Sequence, residues 1–176
     1  MSKTSLQAFR VEGNGLLNVL ITTVIIIPEL DVTQTRLQDV LSNPQQSGLL
    51  LNALWDTGAT RSYIKPEVAK RLGIDKNVVS FADVTGVNSK TETKPVYKVG
   101  AFILPNNVNV AEFHLIESNI ASTADILIGM DLILLGDFSI SNYGGKTVFC
   151  FSSPPHNKKI DLVERAQRIN PKPKKK

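Results

Sequence analysis

The chain has 176 residues, 42% of them hydrophobic, enough for one domain with a real core, and this excludes wholesale disorder. The formal charge of +4 is unevenly placed: from Lys158 onward eight basic residues stand against two acidic ones, so that segment carries +6 and the remainder −2. The body is therefore near neutral, the basic character belongs to the tail, and the single cysteine, Cys150, excludes an intrachain disulfide.

Residues 1–15 lack the charged start, apolar run and small-residue cleavage site of a secretory signal, so a cytoplasmic address is the expectation. The longest apolar run, Leu16–Ile27, is too short to span a bilayer, contains Asn18 and two threonines, and stops at Pro28. Its β-branched residues predict a strand. Pro28–Gly48 is polar and reads as a mobile surface excursion with one helical turn. Leu49–Trp55 is a second apolar strand that runs into an Asp-Thr-Gly turn, followed by a short strand, "RSYI". "KPEVAKRLGI" is the best helix: Pro66 at its start, Glu67 in the first turn, Lys70 and Arg71 in the last, and Gly73 as terminator. Val68, Ala69 and Leu72 should face the core.

Val78–Pro105 has the pattern of a long hairpin with a flexible tip near Gly86, and the polar Thr91–Lys94 makes it project from the body. Asn109–Glu117 is another strand. "DILIGMDLILLG" combines an apolar strand ending at Gly129 with a short helix ending at Gly136. "FSISNYGGKTVFCF" is a closing hairpin turned by Gly144 and Gly145. The Pro- and Lys-rich remainder predicts a frayed helix followed by disorder. This divides the chain into an N-terminal segment (1–15), one folded domain (16–153) and a basic tail (154–176), with no internal repeat.

The segment that carries chemistry is "LWDTGAT", Leu54–Thr60, where one acid, Asp56, stands in an apolar and small-residue run. Two carboxyls a few ångströms apart cannot easily ionise together, so they share one proton and provide a base and an acid in one site. Their titration belongs to the pair. Such a pair can take a proton from water and deliver one to a leaving nitrogen without metal or nucleophilic side chain. The triplet occurs once, because "DVTG" at Asp83–Gly86 has an extra residue, so a symmetric dimer is needed to bring Asp56 and its copy together. Gly58 permits a tight turn, Ala59 keeps the floor of a cleft small, the Thr57 hydroxyl can bond across an interface, and Leu54 and Trp55 desolvate the site.

"ALWDTGATRSYI", followed 73 positions after Asp56 by "ILIGMD" with a hairpin between, resembles the retropepsin-type aspartic proteases over roughly Leu16–Phe151. The family includes retroviral and retrotransposon proteases and retroviral-like domains in bacterial and eukaryotic proteins, and the "GMD" triplet is closest to the bacterial and retrotransposon branches. The resemblance implies an all-β acid-protease barrel, a single lobe with one or two short helices, assembled as a two-fold dimer. It makes Asp56 catalytic, Thr57 the inter-subunit hydroxyl and Gly58 a backbone contact to substrate. Ala59 then lies in the cleft, Gly129 beneath the active-site loop, and Thr85, Gly86 and Val87 in a flap closing over an extended peptide. Substrate pockets are expected from Ala59, Val84, Val87 and Ile128. Many retroviral members carry an Asp–Arg ion pair at the positions of Thr60 and Met130; both are absent here, and the usual interleaving of chain ends between subunits is not expected to transfer.

The bland reading of "DTGAT" is a strand-to-turn connection capped by Asp, and the joint presence of "ILIG" and the hairpin argues against it. Asp131 reads as a carboxylate favoured by a helix N-terminus rather than a second catalytic acid. His114 and His156 lack metal-ligand spacing, Cys150 stands where a small apolar residue belongs, and "GNG" at Gly13–Gly15 reads as a turn, so no metal or cofactor is expected. The tail reads as a solvated, disordered end rather than a binding segment; the less expected alternative is salt-sensitive attraction of its lysines to RNA, anionic lipid or an acidic partner, and the lack of interspersed aromatics argues against base stacking. The expected function is an aspartic endopeptidase acting as a homodimer on extended peptides. A catalytically silent peptide-binding module of the same fold is the alternative.

Overall fold

The computed structural model describes residues 5–28, 39, 42, 48–85 and 90–170. Ten strands run in chain order: β1 (Gln7–Glu12), β2 (Ile21–Pro28), β3 (Leu49–Trp55), β4 (Tyr63–Ile64), β5 (Val78–Thr85), β6 (Thr91–Ile103), β7 (Val108–Glu117), β8 (Ile126–Ile128), β9 (Asp137–Ser141) and β10 (Val148–Ser153). Among the described residues, short helices are α1 (Pro66–Leu72) and α2 (Met130–Ile133) between strands and α3 (Leu162–Ile169) after the last strand. Seven strands form one sheet in the order β2-β3-β8-β4-β7-β6-β5, and β2 also pairs with β6. That extra pairing, Val24 opposite Ile103 through Pro28 opposite Val99, closes six strands into a barrel and leaves β5 attached outside. Closure pairs the six barrel strands on both sides, and β5, paired with β6 alone among the described residues, keeps a free edge.

β2 begins at Ile21, not Leu16. Leu20 C=O still accepts from Trp55 N–H (2.9 Å) at the end of the β2–β3 ladder, but before it the chain is drawn away, with Leu17 N–H donating to the Thr147 hydroxyl (2.9 Å). Leu16 and Val19 are consequently exposed. Val24 and Ile26 are buried in the main core, while Ile25 and Ile27 alternate with them and are buried with Phe102 in a second cluster on the other face of the strand.

The chain's two ends build a second sheet of order β1-β10-β9, in which Gln7 to Glu12 run antiparallel to Ser153 to Val148. β1 lies within residues 1–15, ahead of the segment 16–153 that sequence patterning reads as the folded domain. "QAFRVE" alternates too weakly to stand out, with Phe9 its only fully buried residue. Phe9, Phe149 and Phe151 point inward and meet Trp55 of the barrel, whose ring stacks on Phe138 at 5.6 Å and 10° and lies 5.1 Å from Phe151. The small sheet thereby packs directly behind the strand that ends at Asp56.

α1 matches expectation residue by residue: Pro66 opens it, Gly73 ends it at φ 71°, and Val68, Ala69 and Leu72 are buried. The β5–β6 hairpin is present, with Thr85 opposite Thr91, and its outer strand is largely exposed. The tip, with Gly86 and Val87, lies outside the described residues, as do most of the Pro28–Gly48 excursion and the last six residues of the tail. Gly144 and Gly145 turn the closing hairpin at φ 64° and 75°.

Candidate active site

Asp56 follows the last residue of β3, where the hydrogen-bonded ladder gives way to a turn. Its N–H donates to Ile128 C=O (2.9 Å), and its own C=O accepts from Ala59 N–H (3.2 Å), so both peptide groups of the acid are fixed. Asp56 Oδ1 accepts from Gly58 N–H (2.8 Å), while Oδ2 accepts no bond among the described residues. The side chain is half-buried, with Thr57 and Gly58 exposed beside it. Behind it, Trp55 is locked by its Nε1–H donating to the buried Thr22 hydroxyl at 2.9 Å.

The second motif crosses beneath this turn. β8 runs parallel to β3, pairing Trp55 with Ile128, and Gly129 then passes so close to the loop that a Cβ there would lie 2.2 Å from Arg61 C=O and 2.9 Å from Ala59 C=O. Only glycine permits that approach. Gly129 N–H donates to Ser62 Oγ (2.9 Å), and Met130 N–H to Ala59 C=O (2.8 Å).

Asp131 completes the arrangement. It sits in the first turn of α2, where its Oδ1 accepts from Leu132 N–H at 2.9 Å, in keeping with a carboxylate at a helix start. It also accepts from Ser62 N–H through Oδ2 (3.0 Å) and from Ser62 Oγ–H through Oδ1 (2.6 Å). Ser62, fully buried, therefore relays Asp131 to the Gly129 backbone, and this role is absent from the sequence reading. The only signal is a small hydroxyl residue six positions after Asp56, which spacing alone does not distinguish from any loop serine. Among the described residues Arg61 makes no ion pair with Asp131. In the next strand the Tyr63 phenol is pushed up from its ordinary value by burial and by the Asp131 carboxylate, against the pull of Arg61.

A concavity of about 460 Å³ opens on Asp56, lined by Leu17, Val19, Leu54, Thr57 and Ile140. The Thr147 side chain holds its rim, accepting from Leu17 N–H and donating to Asn142 Oδ1 at 2.7 Å. Ala59, Val84 and Ile128, expected to line substrate pockets, lie away from this concavity. Ile128 is 1% exposed and packs into the core, because β8 alternates and turns Leu127 outward instead. Ala59 is half-buried on the loop, and Val84 lies half-buried on β5 with Thr85 exposed beyond it. Neither lines the concavity at Asp56, and Gly86 and Val87 lie outside the described residues. Among the described residues no group of His, Cys, Asp or Glu could hold a metal ion. None of the helices described is long and apolar enough to cross a membrane.

A closed all-β barrel with one lobe, in which an Asp-Thr-Gly loop is supported from below by an apolar-apolar-Gly strand end, is the retropepsin-like aspartic protease architecture. The chain belongs to the family described as "gag-polyprotein putative aspartyl protease", whose profile matches residues 45–134, just over half of it. Among solved structures it is similar to a retropepsin-like aspartic protease from Rickettsia conorii, at 12% identity and a TM-score of 0.51, covering 87% of this chain and 98% of that one. A retroviral protease-like domain of Ddi1 from Leishmania major aligns at 16% identity and a TM-score of 0.42, over 70% of this chain and 82% of that one. No curated protein matches the sequence. The first likeness bears on the fold; the family rests on the profile.

Proposed function

We propose that the protein is an aspartic endopeptidase in which two copies bring their Asp56 carboxyls together across a two-fold axis. The observation that carries this reading is the presentation of Asp56: backbone fixed on both sides, Oδ1 held by Gly58 N–H, and the side chain opening on a concavity. One such acid per chain is half of an acid–base pair. In the assembled site one carboxylate takes a proton from water, which attacks the peptide carbonyl. The protonated partner stabilises the carbonyl oxygen and then supplies the proton to the leaving amine. Thr57 would bond across the interface, Gly58 would meet the substrate backbone, Gly129 would support the loop, and the β5–β6 hairpin around Thr85, Gly86 and Val87 would close over the peptide and exclude water. The hydrolytic unit is the part through Ser153, with the basic tail outside it.

Mass-spectrometric profiling of a peptide library at pH values from about 4 to 7, comparing wild type with Asp56→Asn, tests the reading. Cuts made by wild type and lost in the variant are expected. If the two proteins are equally inert yet still bind peptides, the chain is a silent peptide-binding module. Sedimentation over a range of concentrations should show a dimer wherever activity appears, and activity from a strict monomer contradicts the shared-proton mechanism.

A further inference from the structure

We propose that helix α3 and its lysine-rich flanks dock the protein on an anionic lipid bilayer. α3 is built from local contacts alone: Asp161 Oδ1 caps it by accepting from Glu164 N–H (2.9 Å), Lys159 Nζ pairs with Asp161 Oδ2 (2.8 Å), and Arg168 pairs with Glu164 one turn away. No residue of the helix is buried. Yet its sequence is strongly two-faced. Leu162, Ala166 and Ile169 fall on one line with Val163 beside them, and Leu162, Val163 and Ile169 are 69%, 67% and 67% exposed. Ile160, 64% exposed, extends the stripe just before the cap. An isolated eight-residue helix is marginal in water, so this face gains most from an apolar surface that also orders it.

The charges around the stripe specify the kind of surface. Lys158, Lys159, Arg165 and Arg168 border an open cavity of about 670 Å³ together with Asp161 and Glu164. The two acids are engaged by Lys159 and Arg168, and among the described residues Lys158 and Arg165 make no ion pair. Arg165 lies at the edge of the apolar stripe, where a cation can hold a headgroup phosphate while the neighbouring side chains enter the acyl boundary. Lys172 and Lys174–Lys176 add four more positive charges in sequence, bringing the segment from Lys158 to +6. Juxtaposed basic residues and a shallow apolar face together suit the negative surface of a bilayer. Nucleic acid would use the charge but leave the stripe in water, and no aromatic follows Phe151 to stack on a base.

The test uses the full chain in co-sedimentation with vesicles of phosphatidylcholine alone or with about 30% phosphatidylserine, at about 0.1 M salt. Binding to the anionic vesicles is expected to exceed binding to neutral ones by about ten-fold or more, and to fall when salt is raised to about 0.5 M. The Leu162→Asp/Ile169→Asp variant should lose about ten-fold in binding while its thermal unfolding stays unchanged, because the helix contributes nothing to the core. Lys158→Glu/Lys159→Glu should weaken binding as well. Failure to bind anionic vesicles, unaltered binding by the Leu162→Asp/Ile169→Asp variant, or tighter binding to poly(U) RNA or an acidic peptide than to vesicles overturns the proposal. Asp56→Asn should bind as wild type does, since nothing in this surface depends on hydrolysis.

Discussion

The loop that carries Asp56 and the β5–β6 hairpin are held in opposite ways. Apart from the local bonds of Gly58 and Ala59 to Asp56, the bonds beneath the loop link elements distant in sequence, and those of Ser62 are partly or fully buried: Ser62 to Asp131, Gly129 to Ser62, Met130 to Ala59. On the β5–β6 hairpin they are exposed and local: Thr85 to Thr91 at 3.0 Å, Thr93 to Asp83 at 2.7 Å, Lys94 to Glu92 at 2.7 Å. Buried polar bonds are costly to break because the abandoned group has no water to turn to, whereas surface pairs exchange with solvent at little cost. The molecule thus concentrates rigidity where a carboxyl is positioned and leaves the hairpin cheap to deform.

Gly129→Ala is the harshest way to break this contrast. The added methyl would collide with Arg61 and Ala59 carbonyls. A loss of about 3 kcal/mol or more is expected in urea unfolding. Asp131→Ala should come next, at about 2–3 kcal/mol, because Ser62 N–H and hydroxyl lose their acceptor in a buried setting. Asp131→Asn, which keeps an acceptor oxygen, should recover part of that loss.

Tyr97 gives a smaller effect and a pH signature. Its hydroxyl donates to Glu117 Oε2 at 2.6 Å from a ring that is 1% exposed. Burial, and then the Glu117 bond, push its phenol well above the ordinary value. The fold therefore favours the neutral phenol, and the unfolded chain ionises first. This contribution is complete below pH about 10 and is lost as pH rises beyond it. Tyr97→Phe should cost about 1–2 kcal/mol at neutral pH and flatten the alkaline decline in melting temperature. The least effect is expected on the hairpin, where Thr93→Ala should change stability by no more than about 0.5 kcal/mol. A larger loss there would show that the hairpin is as rigid as the loop.

Elements with local signals were legible in the sequence. α1 has its proline, charges and terminal glycine in place, β3 follows from an apolar run that leads into Asp-Thr-Gly, and the β5–β6 hairpin follows from β-type runs around turn residues. The Asp56 loop and Gly129 were legible as a pair because two short motifs point to one fold, and the family profile supports that fold. What was not legible depended on partners far along the chain. β1 exists through its pairing with β10, about 140 residues away. The chain before Leu20 leaves the strand where Leu17 is drawn to Thr147, and Ile128 turns inward because β8 is a three-residue strand whose alternation is fixed by its neighbours. Ser62 gains its place only when Asp131 folds back beneath it.

The sheet made by the two ends has a practical corollary. Gln7 stands opposite Ser153, so the polypeptide nearly closes into a loop of its own. A short linker joining those residues, with new termini opened near the surface turn at Ala121, should yield a circular permutant that keeps every strand pairing. That rearrangement would also release the helix beyond Ser153 as a detachable module, transferable to another carrier without disturbing the barrel.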